Sequence, residues 1–92
     1  MKELSIEDWV ILQCTKTDTA DLENHRDQIF YLTECYNTKK KLTDTEIKKM
    51  FDTHNHYIPH PEYGYWCSSC RSNCYKTLVK VLPFILKEIE KR

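Results

Sequence analysis

Apolar positions fall at helical spacing in four stretches of this chain, and polar or proline-containing breaks separate them. The first stretch predicts a helix near residues 6–15. Ser5 can cap it, Glu7 and Asp8 suit the positive end of its dipole, and Ile6, Trp9, Val10 and Cys14 share a face. The run Trp9-Val10-Ile11-Leu12 also suits a buried strand. Thr15 to Asp18 form a polar break, and a second helix follows near 19–36, with Leu22, His25, Ile29, Leu32 and Tyr36 on one stripe. The third helix, near 44–54, has the clearest start. Thr43-Asp44-Thr45-Glu46 is a capping box, and Leu42 and Ile47 stand where a hydrophobic staple closes it. Its apolar face is Ile47, Met50, Phe51 and His54. A loop rich in His, Pro and Tyr then leads to a fourth helix near 69–90. Tyr75, Leu78, Leu82, Ile85 and Ile89 make its seam, which Val79, Val81, Phe84 and Leu86 widen, and Pro83 inside it should kink it. The expected fold is therefore all-α, a single small four-helix domain over residues 1–92.

Ninety-two residues bury roughly 60–65% of their unfolded surface, so a chain of this size often needs a staple such as a metal, a disulfide or a partner. The formal net charge is zero, which argues against a protein that mainly coats phosphate. The zero hides an asymmetry. Residues 1–38 hold three basic and eight acidic groups, a net −5, whereas residues 39–92 hold eleven and six, a net +5. Such halves can attract each other within one fold or head-to-tail between copies, although two solvated helix faces give the same count. No signal peptide or membrane span is recognisable, so the expected setting is a reducing cytoplasm with free thiols.

The thiols carry the candidate chemistry. Cys67, Cys70 and Cys74 lie within the eight residues that open the last helix. Cys67 and Cys70 form a C-x-x-C turn, which lets two thiolates converge on one ion, and Cys70 and Cys74 are one helical turn apart. A structural zinc needs a fourth ligand, and His60 is the nearest upstream candidate, with His56 as the alternative and Cys35 more distant. This spacing predicts a metal-stapled corner at Cys67, Cys70, Cys74 and His60. Alternatively Cys74 packs as a small apolar residue, as Cys14 and Cys35 are expected to do. The spacing fits neither ferredoxin run of an iron–sulfur protein.

Redox chemistry is the enzymatic rival. Trp66-Cys67-Ser68-Ser69-Cys70 resembles the W-C-x-x-C active site of the thioredoxin superfamily, where the first cysteine heads a helix that lowers its pKa. In that family the motif follows a strand and further strands come after it. Here 22 residues follow Cys70, all read as helix. His54-Asn55-His56 spells the letters of a nuclease signature without the ββα unit that such nucleases need, and so implies no catalysis. Tyr57, Tyr63, Tyr65 and Trp66 can stack on bases, anchor a protein partner or cover a small core. Lys39-Lys40-Lys41 with Lys48 and Lys49 can touch phosphate or form a solvated helix entry.

Leu42-Thr43-Asp44, Glu46-Ile47, His56, Tyr63-Gly64 and Cys67-Ser68-Ser69-Cys70-Arg71 together resemble small cysteine-motif (C-x-S-C-R) proteins of tailed bacteriophages, including crAss-like phages. The resemblance spans residues 41–82 and implies a phage-encoded protein, either in the host cytoplasm or associated with the virion. No paired carboxylates, phosphate-cradling Gly loop or nucleophile–base pair is legible, and no small-molecule substrate is implied. The functional expectation is a non-catalytic assembly or adaptor protein with a zinc-type site. It would meet a protein partner or its own copies through Val81, Phe84, Leu86, Tyr65 and Trp66. A nucleic-acid-binding zinc module is the alternative, and a thiol–disulfide oxidoreductase at Cys67 and Cys70 comes third.

Overall fold

The computed structural model describes residues 4–92, and among them it is all-α, with four helices and no strand: α1 Ile6–Lys16, α2 Thr19–Thr38, α3 Asp44–Tyr57 and α4 Ser68–Lys91. The strand option for Trp9 to Leu12 falls away, because those residues lie inside α1. Local chemistry accounts for the starts. Ser5 Oγ accepts the Asp8 amide at 3.1 Å. Thr43 Oγ1 accepts the Glu46 amide at 3.2 Å while Glu46 accepts the Thr43 amide at 2.8 Å, so the capping box is closed in both directions.

α4 is the central element and packs against the other three, with α1 also against α3. One core results, built from Val10 and Cys14 of α1, Leu22, Ile29 and Leu32 of α2, Met50, Phe51 and Tyr57 of α3, and Cys74, Leu78, Val81 and Ile85 of α4. Each large apolar side chain buried here contributes about 1.5–3 kcal/mol. The buried seam of α4 lies one notch round from the expected one. Cys74, Leu78, Val81 and Ile85 are buried, whereas Tyr75, Leu82 and Ile89 pack along its margin. On α1 the face narrows to Val10 and Cys14, and Ile6 is 53% exposed because it precedes the covered turn. On α2, Cys35 is buried where Tyr36 was expected to be. Tyr36 instead stacks flat on Tyr75 of α4, with centroids 4.1 Å apart.

Helix ends differ by small, explicable amounts. α3 runs to Tyr57, one turn beyond the expected His54, and stops at Ile58, which precedes Pro59 and is therefore biased to extended backbone. That extra turn buries Tyr57. α4 continues as one helix through Pro83. Pro83 is exposed and Val79, the residue whose carbonyl loses its donor, is 40% exposed, so water can replace the bond.

The charge asymmetry does not produce ion pairs between the halves. Among the described residues, the ion pairs are Arg26–Asp27 and Arg92–Glu88, each within one half. A cation does cross between the halves, as a helix cap. The Arg92 guanidinium donates to the carbonyls of Cys14, Thr15 and Thr17 at 2.8–3.2 Å, placing a cation on the negative end of α1.

Candidate functional site

The Cys-headed turn of α4 is held in place from the loop side. Asn55 in the last turn of α3 donates to the Glu62 carbonyl at 3.0 Å and accepts the Glu62 amide at 2.8 Å, clamping the loop onto the helix it leaves. His54 Nδ1 meets the same Asn55 oxygen at 2.9 Å, so that nitrogen carries its proton. Tyr65 then lays its ring edge-on against Phe51, with centroids 5.0 Å apart, tying the loop to the core. Gly64 closes the assembly. A Cβ placed there would lie 2.9 Å from both Cβ and Sγ of Cys70, so the only glycine in the chain is needed for close approach. Its φ is not positive, and backbone freedom is not the reason for it.

Against that frame Cys67 is the N-cap of α4. Its Sγ accepts the Cys70 amide at 3.2 Å, and its own amide donates to the Gly64 carbonyl at 3.1 Å. Cys67 is exposed and Cys70 partly covered. The two thiols titrate unequally. The Cys70 thiol and amide hydrogen-bond to Cys67 and hold its pKa below the ordinary thiol value, with Arg71 adding to the effect. Cys70 is shifted up, first because its thiol keeps its own proton and donates it toward Cys67, then by desolvation and the nearby charges of Cys67 and Glu62. Glu62 shares a cavity of about 130 Å³ with Cys70, Cys74 and His54. Such a pair can present Cys67 as thiolate while Cys70 stays protonated behind it.

The zinc expectation fails on this geometry. Among the described residues no three His, Cys, Asp or Glu side chains stand where they could hold one ion. Cys67 and Cys70 face each other, but Cys74 is buried in the core, donates to the Met50 carbonyl at 3.7 Å and has its pKa pushed up to about 12 by burial. It follows the other reading, that of a small apolar residue. His60 stands exposed in the loop. His56 is engaged elsewhere, 2.8 Å from Thr17 Oγ1, and that hydroxyl gives its proton to the Gln13 carbonyl, so His56 Nε2 is the donor. Cys35 is buried on α2.

The expected partner-binding residues also divide. Val81 is 2% exposed and belongs to the core, while Phe84 and Tyr65 are partly buried against it. Leu86 is 40% exposed and Trp66, beside Cys67, 87% exposed. Tyr63 in the same loop is 64% exposed. Sequence reasoning missed Asn55, Glu62 and Gly64. Gly64 carried a signal, as the lone glycine just before the motif; the other two gave none.

A second polar cluster joins α2 to the last turn of α3. His25 Nδ1 lies 2.6 Å from the Tyr57 hydroxyl, and the His25 and His56 rings are 5.4 Å apart. Burial, then the neighbouring His56, lowers the His25 pKa, with Asp21 opposing them.

No family model, no curated protein and no solved structure matches this chain. The likeness to phage proteins therefore rests on its own short motifs. No helix among the described residues is long and apolar enough to cross a membrane.

Proposed function

We propose that this domain is a thiol–disulfide exchange module in which Cys67 is the nucleophile and Cys70 the resolving thiol. The observation that carries the reading is the exposed Cys67 sulfur at the α4 N-cap, accepting the Cys70 amide at 3.2 Å. In the first step the Cys67 thiolate attacks one sulfur of a substrate disulfide. The S–S bond breaks, a mixed disulfide forms and one substrate thiolate leaves. Cys70 then loses its proton, attacks Cys67 and releases the second thiolate. The Cys70 proton and one from solvent, where Cys67 left its own on ionising, end on the two product thiols, the substrate is reduced and Cys67–Cys70 is oxidised. An external dithiol returns the pair to its starting state. Glu62, which lines a cavity together with Cys70, is the carboxylate this reading would use to take the Cys70 proton.

The test is reaction with an aromatic disulfide at pH 7, followed by mass spectrometry. Wild type should yield the Cys67–Cys70 disulfide, Cys70→Ser a trapped mixed disulfide on Cys67, and Cys67→Ser neither. A Cys67 that reacts no faster than a thiol in an unfolded peptide overturns the reading.

A non-catalytic adaptor role is the second reading, favoured by Trp66 and Tyr63 standing exposed beside Cys67. The phage resemblance would extend it to a virion component. It expects Trp66→Ala to abolish partner capture or self-association in sedimentation, with thiol reactivity playing no part.

A further inference from the structure

A cavity of about 330 Å³ opens where the α2–α3 connection meets the first turns of α4, on the face of that helix carrying Ser68, Arg71 and Ser72. Its volume falls within the roughly 300–1,000 Å³ of small-ligand clefts. Lys39, Lys40, Lys41 and Arg71 line it together with the Ser68 and Ser72 hydroxyls, and no carboxylate does. Four cations around one concavity repel one another, and none takes part in the ion pairs found among the described residues. Lys40 is held to one side, its Nζ 5.2 Å from the centre of the Tyr31 ring. Lys39 caps α2 in the left-handed conformation at φ 58°, which needs a local reason in a residue with a Cβ.

Arg71 adds an independent observation. One guanidinium Nη donates to Ser68 Oγ at 3.3 Å, while its Nε is buried with no partner. A buried guanidinium donor without an acceptor costs more than an ordinary missing bond. One carboxylate, Asp44, shares with Arg71 a separate cavity of about 210 Å³ that Trp66 and Tyr65 also line, and makes no ion pair with it. The first turn of α4 carries no acidic side chain, and its N-cap is the Cys67 sulfur.

We propose that this cavity binds a phosphate group, with the Arg71 guanidinium as the fixed donor, Lys39 and Lys41 as charge partners, and Ser68 and Ser72 as hydroxyl donors. An anion there offsets the like-charge repulsion and gives the guanidinium an acceptor. The source is inorganic phosphate or the phosphate of a small monoester. In the latter case Trp66, lining the cavity on the other side of Arg71, is placed to cover the attached group.

The experiment is an amide-shift NMR titration of the full chain at low salt with inorganic phosphate and, separately, adenosine monophosphate. Sodium chloride at matched ionic strength is the control. Saturable shifts confined to residues 39–42 and 68–72 are expected. Replacing Arg71 by Gln, or Lys41 by Gln at an exposed loop position, should each weaken binding on the order of tenfold. Lys41→Gln leaves the buried packing alone and so keeps the test informative if Arg71→Gln does not fold. Tighter binding of adenosine monophosphate, with a shift at the Trp66 indole, identifies a monoester, whereas equal binding identifies free phosphate. Shifts that chloride reproduces overturn the proposal. So does steeply salt-dependent binding of a single-stranded oligonucleotide when neither small phosphate binds, because the cations are then a nucleic-acid surface.

Discussion

Gly64→Ala tests whether the loop is pressed onto the thiols. The added methyl would sit 2.9 Å from Cys70 Cβ and Sγ, against about 3.5–4.0 Å for carbon atoms in comfortable contact, so one side must give by half an ångström or more. Sγ can rotate away, but Cβ is fixed to the α4 backbone and cannot. The loop cannot retreat freely either, since Asn55 grips Glu62 at one end and Tyr65 packs on Phe51 at the other. Overpacking of this kind costs about 1–3 kcal/mol. The glycine is not in a left-handed conformation, so alanine also stiffens the unfolded chain and returns about 0.4–1 kcal/mol. The two ranges combine to a net destabilisation of about 0–2.6 kcal/mol, centred on ~1.3 kcal/mol, in urea unfolding. Pushing Cys70 aside should also remove its hydrogen bonds to Cys67, so alkylation of Cys67 at pH 7 should slow toward that of an ordinary thiol. Unchanged stability together with unchanged Cys67 reactivity would refute the close approach and the thiol pairing built on it.

Thr43→Ala removes one arm of the α3 capping box and should cost about 1 kcal/mol, with the transition still single; a loss below the error of the urea curve contradicts the reciprocal cap. Burial pushes the Cys14 thiol up to about 11 and the Cys74 thiol up to about 12. Above pH 9 the unfolded chain therefore gives up these protons first, and stability should fall as pH rises from there toward 12. Cys74→Ala should flatten that alkaline slope in melting curves, and an unaltered slope argues against the burial effect. His25 behaves in the opposite sense. Its folded pKa lies below 6.5, so stability is full above that pH and is lost as pH falls through the folded value. The groups facing it are Asp21 on its own helix and His56 and Tyr57 of α3. His25→Leu should show a shallower fall in melting temperature between pH 7 and pH 5, and an identical fall would assign the acid sensitivity elsewhere.

The sequence by itself determined the four helices and their starts, because capping and amphipathic spacing act within a turn or two of the chain. Ser5, the Thr43–Glu46 box and the face Ile47, Met50, Phe51 and His54 were legible for that reason. It also marked the thiol-rich turn. What the sequence could not determine was which side chains share a site. Cys74 lies one turn from Cys70 and looks like its companion in a ligand set, yet the rotation of α4 against α3 turns it into the core beside Met50. His56 lies close to the cysteines along the chain, but the extra turn of α3 and its contact with Thr17 hold it away. Val81 was read as surface because the seam of a nearly all-apolar helix is ambiguous by one notch, and only packing on three neighbours resolves it. Tertiary structure likewise decided the unequal thiols. The pairing of Cys67 with Cys70, the charge of Glu62 and the press of Gly64 depend on a loop closure fixed by Asn55, a bond across seven residues that no local pattern records.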